Sequence, residues 1–205
     1  MILGLTGGYC SGKSTVAARL RDQGWTIIDV DALGHRALER SLDSVELLLG
    51  PAIRARDGGP DRRAIGARVF GDSALLARYE AIVHPVMNRL VTEAIEDSGS
   101  RVCIDAAILY RLPAAAICDG IIEVRSPLIA RISRGRRRDG LGLCAILRRM
   151  RSQRPLGAAG KRWSDKTVFL LNRGSPWLLD GRINEALARI DAIPALNRPF
   201  ASTDT

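Results

Sequence analysis

Short apolar runs alternate along this chain with longer stretches of helical spacing. The apolar runs have the length of buried strands and lie at residues 1–6, 25–29, 101–105, 120–124 and 167–172. Helices are predicted between them, because apolar positions recur there every three or four residues. Strands that alternate with helices form a parallel sheet with helices on both faces. The pattern therefore predicts a three-layer α/β fold built on a five-stranded parallel sheet.

Capping residues and helix breakers set the predicted helix bounds. Asp61 caps one helix, and Asp72 or Ser73 caps a longer one that runs through residue 96. Pro85 lies inside the longer helix and is expected to kink it or split it in two. The predicted helices cover residues 14–21, 32–49, 62–70, 73–96, 127–139, 144–153 and 176–190.

The 205 residues suffice for one domain with a full core. We predict a single domain whose core consists of residues 1–49, 99–134 and 161–205. Two helical insertions, at about 50–98 and 135–160, interrupt this core and are expected to act as mobile lobes over the site.

The formal net charge of +9 favours polyanionic partners, either nucleic acid or highly phosphorylated small molecules. Ten arginines and a single acid, Asp139, lie between residues 125 and 154. Only three each of Trp, Tyr and Phe are available for base stacking, which argues against an RNA-binding face. We therefore expect small phosphorylated ligands and no stable nucleic-acid partner.

The four cysteines, at positions 10, 103, 118 and 144, show no C-x-x-C spacing. They are typical of reduced thiols in a cytosolic protein rather than of a disulfide framework or a zinc site. The chain has no long apolar run, and its first residues enter a strand without the features of a signal peptide. We expect a cytoplasmic protein without a membrane partner, present as a monomer or a small homo-oligomer.

A phosphate-binding loop follows the first predicted strand. Residues 7–14 read GGYCSGKS and match the G-x-x-x-x-G-K-[ST] pattern in full. Lys13 is the only lysine in the first 160 residues, so an arginine-rich chain keeps a compact ammonium where a guanidinium would be too bulky. The helix that starts at the loop adds unpaired N–H groups and its dipole. The loop is therefore predicted to bind phosphates.

Other motifs narrow the class of phosphate-loop protein. Asp105 is followed by Ala-Ala-Ile, so the D-x-x-G switch of a GTPase is absent, as is its guanine motif. The length excludes a large motor ATPase. A small-molecule kinase of the nucleoside-monophosphate type needs a carboxylate at the tip of strand two and arginines for the transferring phosphate. Asp29 and Asp31 supply the first, and the arginine-rich segment 134–154 supplies the second.

The sequence resembles the dephospho-CoA kinases over nearly its whole length. The likeness rests on the loop, residues 28–31 (IDVD), residues 68–70 (RVF), the pair His84-Pro85 and Asn172-Arg173-Gly174. It implies transfer of the ATP γ-phosphate to the ribose 3′-hydroxyl of dephospho-CoA, the last step of coenzyme A synthesis. Three departures stand out: Cys10 replaces a third glycine of the loop, Ala107 and Arg111 replace a proline and a glutamate, and the lid is a few residues longer.

ATP and Mg²⁺ are the expected cofactors. Lys13 is expected to bridge the β and γ phosphates, and Ser14 to bind Mg²⁺ through its hydroxyl. Residues 172–174 are expected to hold the adenine edge through backbone groups, although Asn-x-Gly is also an ordinary turn. The other predicted nucleotide-binding residues are Gly7, Gly8, Cys10, Ser11, Gly12 and Thr15.

Three acceptor-side and metal-side candidates carry alternatives. Asp31 is expected to act as the general base or to orient the acceptor hydroxyl, the alternative being a helix N-cap, while Asp29 would help the metal through water. Asp105 is either a second-shell magnesium ligand or an acid satisfied at the end of its strand. His84 is either part of the acceptor pocket in the 50–98 insertion or the cap of a broken helix.

Arg134 and Arg138 lie one turn apart and are the lid arginines expected to meet the transferring phosphate, the alternative being a solvated charged face. The expected partners are ATP and dephospho-CoA. Two other functions remain open: a nucleoside or nucleotide kinase of the same fold, and a non-catalytic nucleotide-binding protein that docks to RNA. The second is disfavoured, because a pure binder does not need the retained Asp31.

Overall fold

The structure is a computed structural model that describes residues 1–152 and 160–193 of the chain. Its five strands are β1 Ile2–Gly7, β2 Thr26–Asp29, β3 Val102–Asp105, β4 Gly120–Arg125 and β5 Thr167–Leu171. They form one sheet in the order β2-β3-β1-β4-β5, and β1 pairs in parallel with both of its neighbours. The predicted five-stranded parallel sheet is confirmed, and each strand lies close to its expected bounds.

The helices in the described part of the chain are α1 Lys13–Asp22, α2 Val30–Arg40, α3 Leu42–Leu49, α4 Arg62–Val69, α5 Ser73–Glu96, α6 Ala114–Ile117, α7 Leu128–Asp139, α8 Leu143–Ser152 and α9 Pro176–Asp191. Short 3₁₀-helices occupy Pro51–Ile53, Leu109–Arg111 and Gly160–Lys166. The helix α6 is too short to show helical periodicity in the sequence. Residues 153–159 of the predicted lid and residues 194–205 of the predicted core lie outside the described residues.

Two helices differ from the sequence prediction. The predicted helix 32–49 is divided at Ser41, which ends α2 and begins α3 with φ of −103° and ψ of 6°. The Ser41 hydroxyl forms no hydrogen bond that caps α3, so the preference of serine for helix ends does not account for the break. Conversely, Pro85 lies inside α5 without splitting it. The buried face continues from Val83 to Met87, so packing holds α5 together across the hydrogen bond that proline removes.

The chain divides into two compact units, one of residues 1–28 with 98–205 and one of residues 29–97. The first contains the sheet. The second contains α2 to α5, and the expected bounds of the core and of the two insertions stay predictions. The single domain stays a prediction.

Helices cover both faces of the sheet in the first unit. One face packs a fully buried cluster from β1, α1 and α9, formed by Leu3, Leu5, Val16, Leu20 and Ile183. On the opposite face, a Cβ on Gly4 would lie 2.7 Å from the side chain of Leu109, so β1 and the chain after β3 approach closely there. This layering keeps β1 at the centre of the sheet, and the loop that follows it emerges at the middle of the carboxyl edge.

The second unit is built from capped helices. Asp61 caps α4 and Asp72 caps α5, and each carboxylate accepts two backbone N–H groups at 2.9–3.1 Å, as predicted for Asp61 and for one of the two α5 candidates. Arg54 pairs with Glu46 at 2.7 Å and with Asp43 at 2.5 Å, which ties α3 to the chain beyond it. No helix in the described parts of either unit is long and apolar enough to cross a membrane.

Candidate active site

The loop of residues 7–14 joins β1 to α1 and is closed by its own backbone. The Ser11 N–H donates to the Gly8 carbonyl at 3.0 Å, and the first hydrogen bonds of α1 go to the Gly12 carbonyl. Gly12 has φ of 95°, and a Cβ on it would lie 2.1 Å from Nδ2 of Asn172. Any side chain here would be both strained and in collision, which explains why the motif fixes glycine at this position.

Cys10 has a left-handed backbone conformation. Its φ is 56°, and within the described ranges no other residue except glycine has a positive φ. That region favours glycine, which agrees with the third glycine expected here from the family resemblance. The loop therefore keeps its path at Cys10 at the expense of local backbone strain.

Lys13 and Asp105 connect the loop to the sheet. Lys13 begins α1 and forms an ion pair with Asp105, the last residue of β3. Both side chains are largely buried, with 15% and 11% of their surface exposed. The carboxylate thus faces the loop lysine, and its contribution to Mg²⁺ binding stays a prediction.

The oxygen donors at the loop suit a cation that brings its own ligands. Ser14 is exposed in the first turn of α1, directly after Lys13. Among the described residues, no three His, Cys, Asp or Glu side chains cluster as a metal site. Mg²⁺ does not require such a cluster, because it usually keeps water ligands and binds substrate phosphates with one or two protein oxygens. The Ser14 hydroxyl and the Asp105 carboxylate fit that chemistry.

Two arginines of α7 hold the loop backbone. Nε of Arg131 donates to the Tyr9 carbonyl at 2.8 Å. Nη1 of Arg134 donates to the carbonyls of Cys10 and Ser11 at 3.2 and 3.1 Å. Its further hydrogen bonds go to two polar side chains, those of Ser126 and Asn172. Arg134 therefore supports the loop, and its expected contact with the transferring phosphate stays a prediction.

Arg138, the second lid candidate, belongs to a different cluster. It is exposed, donates to Asp139 at 2.8 and 3.1 Å, and lies over the Tyr9 ring, 5.3 Å from its centroid. Hydrogen bonds from Arg138 and from the Tyr9 hydroxyl lower the pKa of Asp139 to about 2. Arg149 of α8 lies 3.3 Å from the same carboxylate.

Sequence reasoning singled out neither Tyr9, Arg131 nor Arg149 for a role in the site. The available signal was Asp139, the only acid in an arginine-rich segment, because a lone acid there is a natural centre for ion pairs. Tyr9 occupies a free position of the loop motif and gives no signal of its own.

Asn172 follows β5 and braces the loop from its other side. Its buried side chain donates from Nδ2 to the Ser11 carbonyl at 3.2 Å, and Oδ1 accepts from the Gly174 N–H at 2.9 Å. The Asn-x-Gly segment is thus a turn that also holds the loop. An adjoining cleft of about 200 Å³ is lined by Thr15, Arg19, Arg134, Asn172, Gly174, Ser175 and Leu179. The Asn172 N–H donates to the Arg125 carbonyl at 2.7 Å, and the expected contact of residues 172–174 with adenine stays a prediction.

In the second unit the structure decides between the alternatives for two candidates. Asp29 caps α2, and its Oδ1 accepts from the Ala32 N–H at 3.0 Å. Asp31 is exposed in the first turn of α2 and is not its cap, so the N-cap alternative for Asp31 is wrong. His84 is half-buried within an unbroken α5, so it caps no broken helix. The acceptor roles of Asp31 and His84 stay predictions.

Comparison with known proteins identifies the family of this chain. A family model of dephospho-CoA kinase matches residues 1–175, which include the loop, α7 and the Asn-x-Gly turn. The chain belongs to the dephospho-CoA kinase family. A curated dephospho-CoA kinase from Anaeromyxobacter dehalogenans is 36% identical over 194 residues, 91% of this chain and 90% of the relative. One from Thermus thermophilus is 35% identical over 191 residues, 93% of this chain and 92% of the relative.

Two solved structures are similar to this dephospho-CoA kinase family member. The crystal structure of TT1252 from Thermus thermophilus is 35% identical, with a TM-score of 0.78 over 94% of this chain and 96% of that one. A dephospho-CoA kinase from Campylobacter jejuni is 20% identical, with a TM-score of 0.57 over 92% of this chain and 96% of that one, and supports the fold alone. The resemblance inferred from the loop, His84-Pro85 and Asn172-Arg173-Gly174 is confirmed at the level of the family.

Proposed function

We propose that this protein transfers the γ-phosphoryl group of ATP to the ribose 3′-hydroxyl of dephospho-CoA, which yields coenzyme A and ADP. The observation that carries the proposal is a phosphate loop whose Lys13 pairs with Asp105, in a chain whose residues 1–175 match the dephospho-CoA kinase family. A buried ion pair at the loop prepares an ammonium group for phosphate, which is the donor half of a kinase site.

The donor half binds ATP through the loop. The Lys13 ammonium has three N–H donors, so it can bridge the β and γ phosphates and keep its contact with Asp105. The Ser14 hydroxyl and the Asp105 carboxylate would hold Mg²⁺, which when bound would neutralise charge on the phosphates. Adenine occupies the cleft beside Asn172 and meets backbone groups of residues 173–174.

The acceptor half centres on Asp31. Because Asp29 already caps α2, the Asp31 carboxylate has no capping role. It accepts the proton of the acceptor hydroxyl while that oxygen forms its bond to the γ-phosphorus and the bond to the ADP oxygen breaks. Arg138 neutralises charge on the transferring group, Arg134 keeps the loop in place for it, and His84 contributes to the acceptor pocket.

The wider setting follows the same proposal. One domain carries the reaction, with a helical part that binds the acceptor and a lid at about residues 135–160. All four cysteines are free thiols, which fits a reducing compartment and supports a cytoplasmic location. We expect a monomer or a small homo-oligomer.

The substrate is tested by measuring ADP release with four acceptor conditions: dephospho-CoA, adenosine, nucleoside monophosphates and no acceptor. We expect turnover with dephospho-CoA alone, and mass spectrometry of the product after nuclease treatment should place the new phosphate on the 3′-oxygen. Preference for a monophosphate or for adenosine would instead indicate the nucleotide or nucleoside kinase alternative. ATP hydrolysis that ignores all acceptors would contradict the proposal.

The role of Asp31 is tested against its neighbour. Asp31→Asn should lower kcat by about 10²–10⁴-fold, the usual contribution of a positioned general base. Asp29→Asn is the matched control. The Asp29 carboxylate caps α2, so we assign it no metal role, and because asparagine caps helices as well as aspartate does, this variant should retain kcat. Equal losses in the two variants would assign the effect to the start of α2 as a whole and not to the Asp31 carboxylate.

A further inference from the structure

We propose that Tyr9 is a positioning residue for phosphoryl transfer: through Asp139 it fixes the guanidinium groups of Arg138 and Arg149 at the phosphate loop. The inference rests on the proposed function, in which a lid arginine neutralises the transferring group. The loop motif leaves position 9 free, so phosphate binding alone does not call for an aromatic residue there. The contacts of Tyr9 supply another reason for it.

Tyr9 leaves the loop and packs between α7 and α8. Only 9% of the residue is exposed. A Cβ on Gly135 of α7 would lie 3.2 Å from Cε1 of Tyr9 and 3.2 Å from Cδ1 of Ile146 on α8. A side chain at Gly135 would press on the ring and on Ile146 more tightly than most side-chain contacts do, so the ring is closely packed between the two helices.

The Tyr9 hydroxyl reaches the centre of an ion-pair cluster. It donates to Oδ2 of Asp139, the last residue of α7. The same carboxylate accepts from Arg138 at 2.8 and 3.1 Å and from Arg149 of α8 at 3.3 Å. Asp139 is the only acid between residues 125 and 154, so within this segment both guanidinium groups share one carboxylate.

The Tyr9 ring holds the same two cations from another direction. The guanidinium carbons of Arg138 and Arg149 lie 5.3 and 5.6 Å from the ring centroid, within the reach of cation–π attraction. Two like charges this close to one another repel. The carboxylate and the ring together offset that repulsion and keep both cations beside residue 9 of the loop.

Fixed cations are what phosphoryl transfer needs. Charge spreads over the oxygens of the transferring group in the transition state, and donors already in place stabilise it without reorganisation. Without the Tyr9 hydroxyl, Asp139 is bound by its arginines alone, and the arginine–carboxylate group is free to shift off the loop. We therefore expect removal of the hydroxyl to reduce kcat more than it changes KM.

Tyr9→Phe is the first test, with Tyr110→Phe as the matched control. Tyr110 is 8% exposed, and its hydroxyl also donates to a carboxylate, Glu123, at 2.9 Å. Tyr9→Phe should lower kcat by about tenfold, the scale of one hydrogen bond to a charged group, with a smaller, at most several-fold rise in the KM for ATP and no change in the KM for dephospho-CoA. Tyr110→Phe should retain kcat. Similar kcat values in the two variants would overturn the inference.

A double-mutant cycle tests whether Tyr9 acts through Asp139. Asp139→Asn is combined with Tyr9→Phe, and thermal unfolding of each variant checks that the fold is retained. In the Asp139→Asn background the tyrosine substitution should change kcat by less than about twofold, since coupled partners are not additive. A persisting tenfold loss would show that Tyr9 acts by another route.

A binding measurement separates this inference from the proposed function. Affinities for a non-hydrolysable ATP analogue and for ADP are measured by calorimetry, with no acceptor present. Tyr9→Phe should lower the affinity for the ATP analogue several-fold more than the affinity for ADP, because the fixed cations act on the terminal phosphate. If the wild type does not phosphorylate dephospho-CoA, the proposed substrate is wrong, and this ratio still decides the role of Tyr9. An unchanged ratio would contradict that role.

Discussion

The phosphate loop and the helical unit of residues 29–97 differ in whether their candidate charged side chains are held by other protein groups. At the loop, Lys13 is paired with Asp105 and Arg134 is bonded to loop carbonyls. In the helical unit, Asp31 is exposed and leaves the capping of α2 to Asp29. The groups expected to bind the polyphosphate are thus held in place beforehand. The Asp31 carboxylate, which we propose takes the proton, does not cap the helix that carries it.

On the loop side of this comparison, the largest effect should come from removing the loop ammonium. Lys13→Met takes away the charge between the phosphates and Asp105, and kcat/KM should fall by about 10³-fold, the upper range for loss of one transition-state donor. The measurement is ADP release with dephospho-CoA. Lys161→Met is the control, because Lys161 is exposed and should tolerate the change. Activity above a tenth of wild type in Lys13→Met would contradict the role given to the loop lysine.

The second prediction tests the role of Asp105 at the phosphate loop. Asp105→Asn should lower kcat by about 10²-fold, because Lys13 loses its counter-charge and Mg²⁺ loses a nearby carboxylate. If the carboxylate contributes to Mg²⁺ binding, the Mg²⁺ concentration for half-maximal rate rises in the variant, which is the result we expect. If the Mg²⁺ requirement stays unchanged while the KM for ATP rises, Asp105 does not contribute to Mg²⁺ binding and its role is only to position Lys13.

Asp119→Asn is the matched control for that experiment. Asp119 is also a buried acid beside a strand of the same sheet, and its Oδ2 accepts from the Ile2 N–H at 2.7 Å. Asparagine keeps an acceptor oxygen for this bond, so the Mg²⁺ requirement should not change. A shift in both variants would indicate a general change in the sheet.

The strands and the loop follow from local pattern, which explains why they were predictable. Buried parallel strands are short apolar runs, and the loop motif fixes residue types by local backbone demands such as the positive φ of Gly12. The division at Ser41 and the continuity through Pro85 are harder, because packing in the folded unit competes there with local preference.

The roles of the arginines do not follow from the sequence. Arg134 and Arg138 lie one turn apart on α7, so their spacing in the sequence does not distinguish their roles. Their different partners depend on how α7 is placed along the loop, and the contact of Gly135 with Tyr9 and Ile146 sets that placement. This contact joins the phosphate loop, α7 and α8, so a local sequence pattern does not predict it.

The third prediction separates these two arginines. Arg134→Ala leaves loop carbonyls short of a donor, and the free energy of unfolding should fall by about 2 kcal/mol. Arg138→Ala removes an exposed ion pair, so stability should change by less than about 0.5 kcal/mol while kcat falls by about tenfold to a hundredfold. Urea denaturation and steady-state kinetics measure the two effects. Equal stability losses would remove the distinction between a loop support and a lid arginine.

The smallest effect concerns Cys10, where the fixed loop is itself strained. A side chain at φ of 56° is disfavoured by about 1 kcal/mol, and glycine removes that strain while adding up to about 0.5–1 kcal/mol of unfolded-state entropy. Cys10→Gly should therefore raise the free energy of unfolding by no more than about 0.5 kcal/mol and keep kcat. The same substitution at Cys144, in the first turn of α8, relieves no left-handed strain and should lower it by about 0.3 kcal/mol. Equal destabilisation at both sites, measured by urea denaturation, would mean that the Cys10 thiol contributes packing that outweighs the strain.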